Sequence, residues 1–89
     1  MPHFRVVPDL VTGEVNVTTD TQFNHVDAEK VVLRENVTAR IFGSVKYVIL
    51  GHGSCLYLHG TAARIENQGG EVFIYWQTFR MPGNFSGTA

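Results

Sequence analysis

The clearest pattern in the chain is a strict alternation of inward apolar and outward positions in its middle. Residues 39–42, 56–59 and 72–75 each carry it, with β-branched and aromatic side chains. Alternation with period two and this residue usage indicate β-strands. A second short apolar segment comes before the turn in each unit, at 31–33, at 48–50 and at Ile65.

The alternating segments recur at a nearly constant interval. A shift of 17 places residues 31–33 on 48–50 and residues 39–43 on 56–60, and a shift of 16 places 56–59 on 72–75. The turn position in successive units is occupied by residue types that tolerate a positive φ. These residues are Asp20, Asn36, Gly53 and then Gly69 or Gly70.

Two or three short strands in every 16–17 residues predict an all-β fold, a short parallel β-solenoid of about four coils. Equivalent residues would then stack at ~4.8 Å, the spacing of paired strands. Two alternatives stay open at this point. One is a small antiparallel β-sandwich with similar hairpins, and the other is a local helix over residues 27–35 with Asp27 as its N-cap.

The length of 89 residues fits a single domain, 1–89. We expect an N-terminal arm or cap at 1–12, solenoid coils at 13–79 and a C-terminal tail at 80–89. Seven basic and eight acidic residues provide no excess charge for nucleic acid or an acidic lipid surface, and no apolar run is long enough to span a membrane. The lone Cys55 and the absence of an apolar leader favour a reducing cytoplasm.

The strongest functional signal is the outward side of the alternating strands. If Ala39, Ile41, Leu56, Leu58, Val72 and Ile74 point inward, the outward positions carry four aromatic rings, one arginine and one histidine. Solvated sheet faces rarely carry such a set, which is typical of protein interfaces. The predicted protein-interface residues are Arg40, Phe42, Tyr57, His59, Phe73 and Tyr75.

The outward set could also be covered without a partner protein. Part of the chain itself could fold over it, either the N-terminal residues 4–7 or the C-terminal Phe79 and Phe85. A small ligand could also bind there. We favour a homodimer, because two-fold symmetry turns one patch into a complete interface.

Catalytic, cofactor and metal sites are not expected. Cys55 and His59 would share a face but lie about 13 Å apart at ~3.3 Å per residue, too far for one ion. A Cys55 nucleophile with His52 as its base would lack a third, orienting group. The acidic residues are scattered, so no pair suggests acid–base catalysis.

The spaced apolar pairs with glycines at the corners, over residues 31–76, resemble those of bactofilins and related polymer-forming small β-helix proteins. That resemblance implies a right-handed parallel β-helix without nucleotide that assembles end to end as a scaffold. The chain departs from the family in having fewer coils, a more aromatic outer face, and Trp76 where Gly43 and Gly60 stand in earlier units.

Together these observations predict a non-enzymatic, self-associating scaffold or protein-interaction module. One alternative is a small phage- or bacterium-encoded inhibitor, such as an immunity or anti-defence protein, that binds a larger protein. A less favoured alternative is an oligomeric β-helix enzyme such as an acyltransferase, for which His59 is the only candidate catalytic residue.

Overall fold

The computed structural model describes residues 4–75, and these residues form six β-strands and no helix. The alternative of a helix over residues 27–35 is wrong, because residues 27–33 lie in a continuous strand with a buried Val31. The strands are β1 (Arg5–Val7), β2 (Val11–Val17), β3 (Thr21–Leu33), β4 (Thr38–Leu50), β5 (Cys55–Asn67) and β6 (Glu71–Ile74).

All strand pairs are parallel, as a solenoid requires and a sandwich of hairpins does not. β1 and β2 both pair with β3, which pairs in turn with β4, and the stack continues through β5 to β6. The chain therefore winds through about four coils: β1 with β2, then β3, β4 and β5, with β6 beginning the next. The predicted all-β solenoid is confirmed, and the antiparallel sandwich is excluded.

The predicted registers also hold. β4 and β5 pair at a constant offset of 17 from Thr38↔Cys55 to Leu50↔Asn67, and β5 and β6 pair at an offset of 16. The first coils are less regular, because β3 and β4 shift register between Phe23 and Val26. β2 shifts similarly between Gly13 and Glu14.

Each coil was expected to contain two or three short strands, but β3, β4 and β5 are each continuous over 13 residues. In β4 and β5 a stacked glycine lies where the coil changes direction. Gly43 and Gly60 have φ values of 140° and 154°. A Cβ on Gly60 would lie 1.8 Å from the Gly43 carbonyl oxygen. Only glycine allows the coils to stack this closely here.

The core is a set of stacked inward side chains, and its centre is fully enclosed. Ala39, Ile41, Leu56 and Leu58 have no exposed surface. The last two predicted inward residues differ, because Val72 is half-buried and Ile74 is 51% exposed. Ile74 lies on β6, and no described strand stacks on that side of it.

The prediction for the turn position in successive coils is correct in part. Asn36, Gly53 and Gly69 have φ values of 60°, 76° and 119°. Asp20 was expected in the same conformation, but among the described residues Asn36 is the only non-glycine residue with a positive φ. Asp20 acts through its side chain instead, since its Oδ1 accepts a hydrogen bond from the Thr38 amide at 2.9 Å.

The residues predicted as an N-terminal arm include β1 and the start of β2, which pair with β3. They complete the first coil of the stack. The predicted tail 80–89 and Trp76 lie outside the described residues.

Candidate functional site

The six predicted interface residues form one surface, which we call the aromatic face. It consists of three rows, because the strands pair in register. The first row comes from β4, the second from β5, and the third from β6 and the residue that follows it. The rows, in order, are Arg40 with Phe42, Tyr57 with His59, and Phe73 with Tyr75.

The first column of the aromatic face contains Arg40, Tyr57 and Phe73. The Tyr57 and Phe73 rings are stacked, with centroids 5.2 Å apart and planes 15° from parallel. The Arg40 guanidinium lies 5.7 Å from the Tyr57 ring centroid, within the range of a cation–π contact. Arg40 therefore lies at one end of this column, over the ring of Tyr57.

The second column is packed more tightly. His59 lies between two rings, with centroids 4.3 Å from Phe42 and 4.6 Å from Tyr75. The interplanar angles are 9° and 15°. The two columns also touch, since the Tyr57 and Tyr75 centroids are 6.5 Å apart. The face is thus one connected aromatic cluster.

Stacking determines which parts of the rings remain accessible. Phe42, Tyr57 and His59 are half-buried, because neighbouring rings cover their flat faces. Exposure increases toward the last row, where Phe73 is 41% and Tyr75 48% exposed. The surface of the columns therefore consists mainly of ring edges and polar tips, and these groups are available to a partner.

A third column, Thr38, Cys55 and Glu71, runs beside the first one. Its residues alternate with the buried Ala39 and Leu56, so they too point outward. Cys55 is half-buried, and its side chain, beside the Tyr57 hydroxyl, raises the pKa of Tyr57.

The N-terminal residues 4–7 do not fold over the aromatic face as a cover. β1 lies in the sheet, two strands away from β4, instead of crossing the columns. Phe4 alone reaches the aromatic face, with its ring 5.8 Å from the Arg40 guanidinium. Phe79 and Phe85, the other candidates, lie outside the described residues.

A second tyrosine-centred cluster, not anticipated from the sequence, lies on another outer side of the solenoid. The Tyr47 ring lies between two cations, 5.0 Å from the Arg64 guanidinium and 5.9 Å from Lys30 Nζ. The Tyr47 hydroxyl donates a hydrogen bond to Glu66. This bond raises the pKa of Tyr47 and is the main cause that lowers the pKa of Glu66.

The sequence did contain a signal for this cluster. Lys30, Tyr47 and Arg64 are spaced by 17, the interval that aligns residues 31–33 with 48–50. The Tyr47 ring thus lies between two cations of its own chain, and its hydroxyl already has a partner in Glu66.

A shallow open groove of about 360 Å³ lies on another side of the solenoid. Small side chains such as Ala28, Ser44 and Ala62 line it, together with Lys46. Lys46 Nζ lies 3.5 Å from a carboxylate oxygen of Glu29, and both side chains are well exposed. None of the residues lining the groove belongs to the aromatic face.

Within residues 4–75 no group of three histidine, cysteine, aspartate or glutamate side chains is placed to hold a metal ion. The same part of the chain has no helix long and apolar enough to cross a membrane. Comparison with protein-family models, curated proteins and solved structures finds no match to this chain.

Proposed function

We propose that the chain is a non-enzymatic protein-interaction module that associates with a second copy of itself through the aromatic face. One observation carries this proposal: two touching columns of stacked side chains leave their edges exposed, and the exposure is greatest in the last row. Aromatic and arginine side chains anchor interfaces because they bury much area with few rotatable bonds.

A second copy suits this face because the face carries both kinds of group that such contacts join, the electropositive and the electron-rich. Aromatic edges, which are electropositive, are attracted to the electron-rich parts of other rings and to hydroxyl oxygens. Tyr57 and Tyr75 supply hydroxyls, and Arg40 supplies N–H donors. A two-fold pairing uses each of these contacts twice.

The lone, half-buried Cys55 forms no disulfide within the described residues, and we propose a reducing cytoplasm as the location. The thiol then plays no part in holding the copies together.

The experiment is the mass of the purified chain in solution, measured by sedimentation equilibrium over a wide concentration range. We expect a monomer–dimer equilibrium in the wild type and a shift to monomer in Tyr57→Ser. Tyr47→Ser is the matched control, because it makes the same substitution at a half-buried outward tyrosine on a different face. It should leave the dimer intact.

Three outcomes would count against the proposal in different ways. A monomer at every concentration would overturn self-association and favour a foreign protein target, as expected of an inhibitor. Large polydisperse polymers would favour the end-to-end filament implied by the bactofilin resemblance. Equal effects of the two tyrosine substitutions would show that association does not use the aromatic face.

A further inference from the structure

The aromatic face and the third column beside it carry two formal charges, which lie in opposite end rows. These are one permanent cation and one carboxylate. Arg40 lies in the first row and Glu71 in the last, and both are exposed. Two row steps of ~4.8 Å and one column step of ~7 Å separate their backbones by about 12 Å.

These two charges are not paired with each other within the chain. The described residues contain one ion pair, Lys46 with Glu29, and it lies away from the aromatic face. The Arg40 guanidinium contacts the rings of Phe4 and Tyr57, while no described cation contacts the Glu71 carboxylate. A partner could therefore use both charges.

Two copies can pair these faces about a two-fold axis in two basic ways, since the axis must lie in the plane between them. If the axis runs along the solenoid, each row faces the same row of the partner. Arg40 then lies opposite Arg40, because its column is the middle one of the three. If the axis runs along the strands at the level of Tyr57 and His59, the row order is reversed while each column faces itself. Arg40 of one copy then lies opposite Phe73 of the other, one column step of ~7 Å from Glu71, which is within reach of the long arginine side chain.

We infer that two copies pair with their solenoid axes antiparallel, so that the Arg40 side chain of each copy pairs diagonally with Glu71 of the other. This inference rests on the proposed function and specifies its geometry. The reversed order creates two opposite-charge contacts, whereas the other arrangement brings the two Arg40 guanidinium groups together and leaves both Glu71 carboxylates without a cation. Like charges facing each other in an interface are strongly unfavourable.

The position of Arg40 supports this role. Its guanidinium is held near two rings, 5.7 Å from that of Tyr57 and 5.8 Å from that of Phe4. A side chain that is already ordered loses less conformational entropy when it forms an ion pair. Arginine also binds a carboxylate through a planar pair of donors while stacking on an aromatic ring.

The nearest other carboxylate, that of Asp20, does not alter the pairing of charges. It lies one row below Arg40, is half-buried, and its Oδ1 accepts the Thr38 amide at 2.9 Å. In the antiparallel arrangement that row faces beyond the last described row of the partner.

The area of the face sets the expected affinity. Three rows and three columns extend about 10 Å by 14 Å between backbone positions, at ~4.8 Å per row and ~7 Å per alternate residue. Such a contact is at the small end of specific interfaces, and we expect a weak, concentration-dependent dimer. In a dimer of this kind the charges determine the register as much as the affinity.

The test exchanges the two charges. Arg40→Glu and Glu71→Arg are made singly and together, and dimer dissociation constants are measured by sedimentation equilibrium at low salt. The double exchange keeps the formal net charge of −1. Lys46→Glu is the control for Arg40→Glu, because it changes the net charge equally on a different side of the solenoid. Thermal unfolding monitors whether each variant stays folded.

We expect each single reversal to weaken the dimer about tenfold, since it turns two attractive contacts into two repulsive ones. The double exchange should return the dissociation constant to within about twofold of the wild type, and Lys46→Glu should leave it unchanged. High salt should reduce the differences between the variants.

The outcomes separate this inference from the proposed function. If the wild type dimerises through the aromatic face but the double exchange is as weak as the single variants, the antiparallel pairing is wrong and self-association stands. Single reversals without effect lead to the same conclusion. If the wild type is monomeric throughout, both the pairing and the proposed function are wrong.

Discussion

The two sides of β5 follow the same register but have different surroundings. Leu56 and Leu58 point inward and are fully buried, while the alternating Tyr57 and His59 point outward and are half-buried in stacks of rings. The inward contacts remove apolar surface from water completely, which is the main favourable term in folding. The interior therefore holds the register, and the outer columns are aligned as a consequence.

This difference separates folding from binding in the sequence. A change on the inner side alters the stability of the stacked coils. A change on the outer side alters the surface that is available for binding. The substitutions that follow test this separation, beginning with the one expected to destabilise the fold most.

Gly60 lies where β5 turns away from the aromatic face, and Gly60→Ala should have the largest effect. The added Cβ would lie 1.8 Å from the Gly43 carbonyl oxygen, so the coils must move apart. We expect a loss of about 3 kcal/mol or more in the free energy of unfolding, measured with urea.

Gly13→Ala is the matched control, because Gly13 also has a positive φ, of 77°, but nothing lies within 4 Å of its added Cβ. It should lower the free energy of unfolding by about 1 kcal/mol, from backbone strain alone. Similar losses in the two variants would mean that the close approach of the coils does not require glycine.

Leu58→Ala should have the next largest effect, about 2–5 kcal/mol, because it leaves a cavity in a fully buried column. Ile74→Ala truncates the next residue of the same column, but Ile74 is 51% exposed. Its loss should be about 1 kcal/mol or less. Urea unfolding of both variants measures the difference.

Tyr57→Ser provides the outward comparison for Leu58→Ala, since the two residues are adjacent on β5. It should leave the monomer folded, with a smaller loss in the free energy of unfolding than Leu58→Ala causes. If Tyr57→Ser unfolded the chain while Leu58→Ala did little, the inward and outward assignments of this strand would be reversed.

The smallest effect concerns the outward Tyr47. Its hydrogen bond lowers the pKa of Glu66, so ionised Glu66 favours the folded chain at neutral pH. That contribution is lost as the pH falls through the acidic range. Tyr47→Phe should raise the Glu66 pKa toward its ordinary value, as measured by NMR titration, with little change in stability at neutral pH. An unchanged Glu66 pKa would contradict the assigned cause.

Much of the fold could be predicted because the coils have nearly equal lengths. The offsets of 17 and 16 in the sequence place Ala39 under Leu56 and Leu58 under Ile74, and the strands pair in these registers. The register shifts near Gly13 and between Phe23 and Val26 could not be predicted. A bulge changes the local residue count without leaving a distinctive residue pattern.

Other details depended on how far individual side chains extend and which groups they contact. The repeat in the sequence does not show this. Asp20 has a residue type suited to a positive φ, yet its carboxylate caps the Thr38 amide instead. The cluster around Tyr47 forms because long cationic side chains from adjacent coils extend over one ring. Both features require neighbours that are distant in the sequence.

The sequence by itself determined the coil period and the outward position of the six residues of the aromatic face, because both follow from a period-two pattern repeated at a nearly fixed interval. Only the tertiary structure excluded antiparallel hairpins. It alone also decided that His59 lies between Phe42 and Tyr75, that Phe4 reaches Arg40 and that Ile74 is half exposed. These features depend on which side chains lie above and below each residue, and stacking in three dimensions sets those neighbours.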